Sequence, residues 1–258
     1  MQRMSEPQPS LLEAAGRRIA YHHHPGRTPG VLFLGGFMSD MNGTKATALE
    51  RWCVARGIAY TRFDYSGHGA SSGSFEAGTI GAWLEDALAV FDRITQGAQI
   101  LVGSSMGGWI ALLLARQRPG RVAALLTLAC ATDFTEQLLR PALSDRQRDE
   151  LAREGVTELS TPYRESPYRI GTDLLEEGRR HLLLDAQIAI DAPLRMLHGD
   201  RDEAVPLSIS RRTLERYRGA DTELVVVEGG GHRLSTPRQL ALTGRCLEEL
   251  LSKISAEA

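Results

Sequence analysis

The chain has 258 residues, 42% of them hydrophobic, and 30 Lys and Arg against 32 Asp and Glu give a net charge of −2. That apolar share is enough for a full core, and a near-neutral balance without a run of like charge excludes the basic footprint of a nucleic-acid binder. Cys53, Cys130 and Cys246 form no Cys-x-x-Cys pair, which argues for a reducing compartment and against a disulfide framework or a zinc site. No apolar stretch of about 18 residues exists, and Met1–Pro7 lacks the apolar segment of a secretory signal, so a cytoplasmic protein without an integral membrane segment is expected.

Read in chain order, a first strand spans Arg18–His22 and closes at Pro25-Gly26. His22-His23-His24 is not a metal site on this reading, because neighbours on a strand point to opposite faces. Val31–Leu34 is a second strand, followed by the loop Gly35-Gly36-Phe37-Met38-Ser39, and Thr44–Arg56 is helical. The strand Ile58–Phe63 runs into Asp64-Tyr65-Ser66-Gly67-His68-Gly69-Ala70-Ser71, a tight loop held by the Asp64 carboxylate. A helix over Thr79–Gln96 leads to a strand at 99–103, a helix over Met106–Arg116 and a strand at 123–129. Between Thr132 and Asp191 no strand is predicted. Ser144 caps a helix running to Glu154, Ser160–Tyr168 is a loop rich in Ser, Pro and Tyr, and Thr172 caps a helix over Asp173–Leu184. The rhythm resumes with strands at 193–197 and 222–227 and helices over Leu207–Arg218 and Pro237–Ile254. This alternation predicts an α/β fold, a mostly parallel sheet flanked by helices.

The chemistry gathers at three strand ends. Ile100-Leu101-Val102 feeds Gly103-Ser104-Ser105-Met106-Gly107, a Gly-x-Ser-x-Gly in a strand–turn–helix setting. Such a turn lifts a serine hydroxyl clear of the sheet, and its glycines let strand and helix approach closely. After Leu194–Gly199 come two acids, Asp200 and Asp202, and Asp202 is favoured by its Gly-x-x-Asp spacing. After Glu223–Glu228 come three glycines and His232. A serine hydroxyl is a weak nucleophile, which a neutral imidazole activates by taking its proton and a carboxylate supports by holding the imidazole. Ser105, Asp202 and His232 are therefore the candidate nucleophile, orienting acid and base. Backbone N–H groups of Phe37 (alternatively Met38) and Met106 are the candidate oxyanion donors. His68 precedes the serine, the wrong order for a base, and His198 reads as structural. Trp109 packs in the elbow helix, and Cys130 is a small buried filler.

Taken together, Phe37–Ala46 with its Met41-Asn42-Gly43-Thr44-Lys45-Ala46 segment, Arg62–Gly67 and Leu101–Trp109 resemble the α/β-hydrolase superfamily over about residues 16–255. They resemble in particular the branch of the mitochondrial palmitoyl-protein thioesterase and acyl-glucuronide esterase. The resemblance implies an α/β-hydrolase fold, one domain over 1–258 with a helical lid inserted at about 133–190. It also implies a serine hydrolase of carboxylic esters and acyl thioesters working through an acyl-enzyme. Its triad maps onto Ser105, Asp202 and His232, with no cofactor and no metal, and its substrate is a small or acylated molecule. The missing mitochondrial presequence points to a bacterial, cytoplasmic relative. Tyr163, Arg164, Tyr168 and Arg169 are candidate pocket residues. Leu138-Leu139, Leu174-Leu175 and Leu182-Leu183-Leu184 are expected to face an acyl chain over Ser105. The rival readings are a carbon–carbon bond hydrolase of the meta-cleavage type, which shares the Gly-x-Ser-Met-Gly-Gly elbow, and a non-catalytic binding module of the same fold.

Overall fold

A computed structural model describes residues 8–161 and 167–257. Eight strands form one sheet in the order β1-β2-β4-β3-β5-β6-β9-β10. They are β1 (Ser10–Ala14), β2 (Arg17–His24), β3 (Arg27–Leu34), β4 (Ile58–Phe63), β5 (Gln99–Ser104), β6 (Val122–Leu128), β9 (Leu194–Gly199) and β10 (Thr222–Val227). The pairs β1–β2 and β2–β4 are antiparallel, and every other pair is parallel. Strand β1 has no counterpart in the sequence reading, because Ser10-Leu11-Leu12-Glu13-Ala14 carries no β-branched residue. Its conformation comes from pairing with β2 through a two-residue turn, Ala15-Gly16, both at positive φ (48° and 74°) as a type I′ hairpin requires.

The central strand β5 is buried along its whole length because helices cover both faces of the sheet. Helices α1 (Thr44–Val54) and α8 (Pro237–Glu257) lie on one face, where Leu49, Leu247 and Leu250 pack on Ile100 and Val102. Helices α2 (Ile80–Arg93), α3 (Met106–Gln117) and α7 (Leu207–Arg216) cover the other. Six apolar residues of α2, Ile80, Trp83, Leu84, Ala87, Val90 and Phe91, recur at helical spacing and are buried. Thr79 caps that helix by accepting the Ala82 N–H at 3.1 Å. Helix α3 is buried on every side from Met106 to Ala115, with Trp109 donating its Nε1–H to the His181 carbonyl at 3.1 Å.

Between β6 and β9 the chain leaves the sheet. It forms a π-turn (Thr135–Leu139) that continues as the short α4 (Arg140–Ala142), then α5 (Asp145–Glu154) and α6 (Thr172–Gly178). Ser144 and Gln147 make a reciprocal capping box at the start of α5, as the sequence suggests. Two expectations fail in this interval. It contains strands, β7 (Val156–Leu159) and β8 (Tyr168–Gly171), which pair antiparallel with each other and lie apart from the main sheet. Thr172 caps nothing: its hydroxyl donates to the Leu151 carbonyl, and α6 starts after Gly171 and stops at Gly178, short of Leu184. Glu177 on α6 accepts both the Gly81 N–H at the start of α2 (2.9 Å) and a hydrogen bond with His181, which ties the interval to the helical layer. Among the described residues no helix is long and apolar enough to cross a membrane.

Candidate active site

The elbow after β5 is built by absences. A Cβ at Gly103 would lie 2.4 Å from the Gly107 carbonyl oxygen, and one at Gly107 would lie 2.1 Å from that of Leu34. Strand, turn and helix can approach this closely only because those positions carry no side chain. The turn forces Ser105 to φ 54° and ψ −119°, a strained conformation for a residue with a Cβ. The strain is held by Ser105 N–H donating to the Leu128 carbonyl (2.9 Å) and by its own carbonyl accepting from Gly108 and Ala131.

The loops after β9 and β10 are pressed together in the same way. A Cβ at Gly199 would sit 2.0 Å from the Gly230 carbonyl oxygen. This contact brings Asp202 to His232, whose Nδ1 lies 2.8 Å from Asp202 Oδ2, while His232 Nε2 lies 3.1 Å from Ser105 Oγ. The serine, acid and histidine expected from sequence thus converge from three separate strand ends. Asp200, the other acid, is exposed and has its backbone N–H on the Val227 carbonyl.

The Asp202 side chain is fully buried. Burial alone would raise its carboxyl. His198, His232 and the Val205 N–H oppose this and hold it well below the usual carboxylate range. Oδ1 accepts the N–H groups of Ala204 (3.0 Å) and Val205 (2.8 Å). His198 is buried behind the acid, with Nδ1 on Ser210 Oγ (2.7 Å), and with Nε2 2.8 Å from the Val205 carbonyl and 3.3 Å from Asp202 Oδ2. A carbonyl only accepts, so Nε2 carries the proton and adds positive edge charge beside the acid.

Above Ser105 lies a cavity of about 660 Å³, which Phe37 and Met106 also line. Its size suits a small molecule or an acyl chain. One wall is apolar: Phe37, Phe134, Leu138, Leu139, Leu159 and Tyr168. The Phe37 ring meets those of Phe75, Phe134 and Tyr168 edge-on at 4.8, 5.4 and 5.8 Å. The lining also has a polar part, with Ser39, Thr44, Lys45, Arg233 and Ser235. Lys45 Nζ donates to the Arg233 carbonyl at 2.6 Å. Burial and the nearby Arg233 charge push its ammonium down to about 8, against the opposing pull of Asp202.

Of the leucines expected over Ser105, only Leu138 and Leu139 line the cavity; Leu174, Leu175, Leu183 and Leu184 are buried in the packing beneath. Tyr168 lines the cavity and Arg169 pairs with Glu76 at 3.3 Å, while Tyr163 and Arg164 lie outside the described residues. Cys130 packs behind the elbow with its thiol pushed up to about 12 by burial. His23 bonds Thr61 and His24 bonds Glu50.

Three features were not found by reading the sequence for function. The Met41–Ala46 segment is clamped from β4: Asp64 accepts the Met41 N–H at 2.6 Å, and Arg62 donates to the Met41 carbonyl at 2.8 Å. Asp64 also accepts the Ala70 N–H at 2.8 Å, as expected of a tight loop held by that carboxylate, so one side chain holds both loops. His68 accepts the Met38 N–H at 3.2 Å. Six non-glycine residues among those described have positive φ, and five of them, Met38, Ser105, Ala129, Asp133 and Leu234, stand in the loops around the cavity. Backbone strain concentrated in this way is a signature of functional sites that only coordinates reveal.

An imidazole between a buried carboxylate and a hydroxyl, beside backbone amides and an apolar cavity, can activate that hydroxyl against an acyl carbon. Comparison with known proteins agrees in kind. The family model described as serine aminopeptidase, S33 matches residues 30–147. The mitochondrial palmitoyl-protein thioesterase ABHD10 of Bos taurus is 37% identical over 238 residues, covering 92% of this chain and 78% of the relative. The structure of α/β-hydrolase domain-containing protein 10 from mouse superposes with a TM-score of 0.88 at 36% identity, covering 96% of this chain and 100% of that one. A hydrolase from Agrobacterium vitis S4 superposes with a TM-score of 0.89 at 37% identity, covering 96% and 99%.

Proposed function

Because the chain belongs to the α/β-hydrolase family and is a serine hydrolase, we propose that it cleaves acyl thioesters and carboxylic esters through an acyl-enzyme on Ser105. The observation that carries the reading is the pair of contacts joining Asp202 Oδ2, His232 and Ser105 Oγ at 2.8 and 3.1 Å. In the first step His232 Nε2 takes the Ser105 proton as Oγ bonds to the acyl carbon. The oxygen that becomes anionic receives the N–H groups of Phe37 and Met106. The Met106 N–H heads α3 and so has no acceptor within the helix. The Met38 N–H, the alternative donor, is already bonded to His68, which supports Phe37. Collapse expels the thiol or alcohol with the proton held by His232. Water then repeats the sequence on the acyl-enzyme and releases the acid.

Residues from about 133 to 190 act as the lid of a single domain, and Leu138, Leu139 and Leu159 supply the acyl wall. The name of the 37% identical relatives, palmitoyl-protein thioesterase, supports a medium to long acyl chain and a thioester among the substrates. Those relatives are named mitochondrial. For this chain we retain the cytoplasm, a reducing compartment that suits the free, buried Cys53, Cys130 and Cys246. A fluorophosphonate probe should label Ser105, and matched acyl esters and acyl thioesters from acetyl to palmitoyl should both be hydrolysed, the longer chains better. Labelling at another residue, or a strict acetyl preference without thioester turnover, overturns the reading.

A further inference from the structure

We propose that His68 is a positioning residue for this hydrolysis: through its hydrogen bond to the Met38 N–H it fixes the loop whose Phe37 amide faces Ser105. This rests on the reading of Phe37 and Met106 as the oxyanion donors.

Met38 stands at φ 56°, a conformation methionine rarely adopts, and the loop must be held for it to persist. Two groups hold it. The Phe37 ring is locked among Phe75, Phe134, Tyr168 and Trp83. The Met38 N–H donates to His68 Nε2 at 3.2 Å. Ring packing fixes where the loop lies, but a peptide plane can still rotate about its neighbours while the side chains stay in place. The bond to His68 fixes the rotation. It also occupies the one loop amide that would otherwise compete with Phe37 for the developing charge.

The imidazole is arranged to accept. Its Nδ1 lies 3.2 Å from the Ser66 carbonyl oxygen, which can only accept, so Nδ1 carries the proton and Nε2 presents a lone pair. Ser66 is itself fixed, its carbonyl accepting from Trp83 Nε1 (3.1 Å) and its N–H donating to Asp86 Oδ2 (2.8 Å). The ring is boxed by Tyr65, Phe75 and Trp83, with centroids 5.6, 5.1 and 5.2 Å away, and is 4% exposed. Burial pushes the imidazole down to about 4, so it stays neutral and able to accept under the conditions in which the enzyme works. Neither the imidazolium nor the other neutral tautomer can receive the Met38 proton.

Two measurements test this. In the unaltered, ¹⁵N-labelled protein, His68 should show the Nδ1-protonated neutral tautomer with a scalar coupling across the hydrogen bond to the Met38 amide nitrogen. A ring protonated at Nε2 overturns the proposal. The second compares His68→Gln with His68→Met, side chains of nearly equal shape of which only glutamine places a strong acceptor where Nε2 stands. His68→Gln should keep kcat within about threefold. His68→Met should lose about tenfold or more in kcat and equally in affinity for an acyl trifluoromethyl ketone, whose hemiketal oxyanion mimics the transition state, at unchanged KM and equal Tm. Equal kcat and equal inhibitor affinity in the two variants overturn the proposal even where Ser105 still takes the fluorophosphonate. Loss of that labelling in the unaltered protein instead overturns the underlying assignment of the nucleophile.

Discussion

The two walls of the cavity are made in different ways. The sheet-side wall, with the loops after β3, β5, β9 and β10, is held by backbone packed on backbone. At Gly107 and Gly199 even a methyl group would collide with a carbonyl oxygen, at 2.1 and 2.0 Å. The facing wall, with Phe134, Leu138, Leu139, Leu159 and Tyr168, is a π-turn and a two-stranded ribbon joined to their surroundings by side chains, with ion pairs such as Arg140 with Glu136 at 2.7 Å. The first arrangement has no room for an added methyl group at those positions and tolerates little change. The second fills space and accepts substitution of one apolar side chain for another. On the function proposed above, the rigid wall carries the chemistry and the adaptable one the substrate choice.

The comparison can be broken by variants that cross it. The largest effect is expected for Ser105→Ala, which should lower kcat by about 10⁵–10⁶-fold while leaving the fold and the short-chain binding intact, read by turnover and thermal melts. Next, Asp202→Asn should cost about 10²–10⁴ in kcat by misorienting His232, whereas Asp200→Asn, at an exposed position, should cost less than about threefold. The reverse order would mean that the wrong carboxylate has been assigned. On the adaptable wall, Leu138→Ala with Leu139→Ala should leave acetyl ester turnover near the parent value. Long-chain kcat/KM should fall by about 10- to 30-fold, as about 0.8 kcal/mol for each buried methylene is forfeited. A uniform fall at every chain length would place these leucines in the chemistry instead.

The smallest effect concerns Lys45. Its folded pKa, pushed down to about 8 by burial and Arg233 from the ordinary 10.5, means that the folded state binds the proton less well than the unfolded chain. The charged lysine therefore costs stability below about pH 8, and the cost fades as pH rises through 10.5, above which both states are neutral. Lys45→Met should raise stability at pH 7 by about 1 kcal/mol, a figure reduced for partial solvent screening and for the lost bond to Arg233, with the gain gone above about pH 10.5. Melts of the two proteins at both pH values check the sign.

The rigid wall was also the legible one. Glycines at fixed offsets from Ser105, Asp202 and His232 announce close backbone approach, and that approach makes the site, so motif and geometry are nearly the same information. The Gly-x-x-Asp spacing is the distance the turn after β9 needs to bring the Asp202 carboxylate under the Ala204 and Val205 amides. The adaptable wall is less legible. Strands β7 and β8 are each four residues long and lie among turn-forming residues, so neither shows a period; they exist because they find each other. Leu174-Leu175 and Leu182–Leu184 look the same in sequence as Leu138-Leu139, and only packing decides which pair reaches the cavity. His68 and Lys45 carry no local signal either, since each acts on a loop distant in sequence, at Met38 and at Arg233.

The π-turn at Thr135–Leu139 sets the direction in which Leu138 and Leu139 leave the sheet. A π-turn holds about one residue more per turn than an α-helix, and each residue of an α-helix advances the side-chain direction by about 100°. Removing a single residue there, at Gln137 for instance, would let the segment relax to α geometry while the chain beyond it keeps nearly its direction, because four α residues sweep about the same angle as the five of the π-turn. The turn is thus a point where the chain can lose one residue without turning the rest of the acyl wall away from Ser105. Length at that turn and side-chain identity along the wall are therefore separable: the first can change while the second still sets the shape of the cavity.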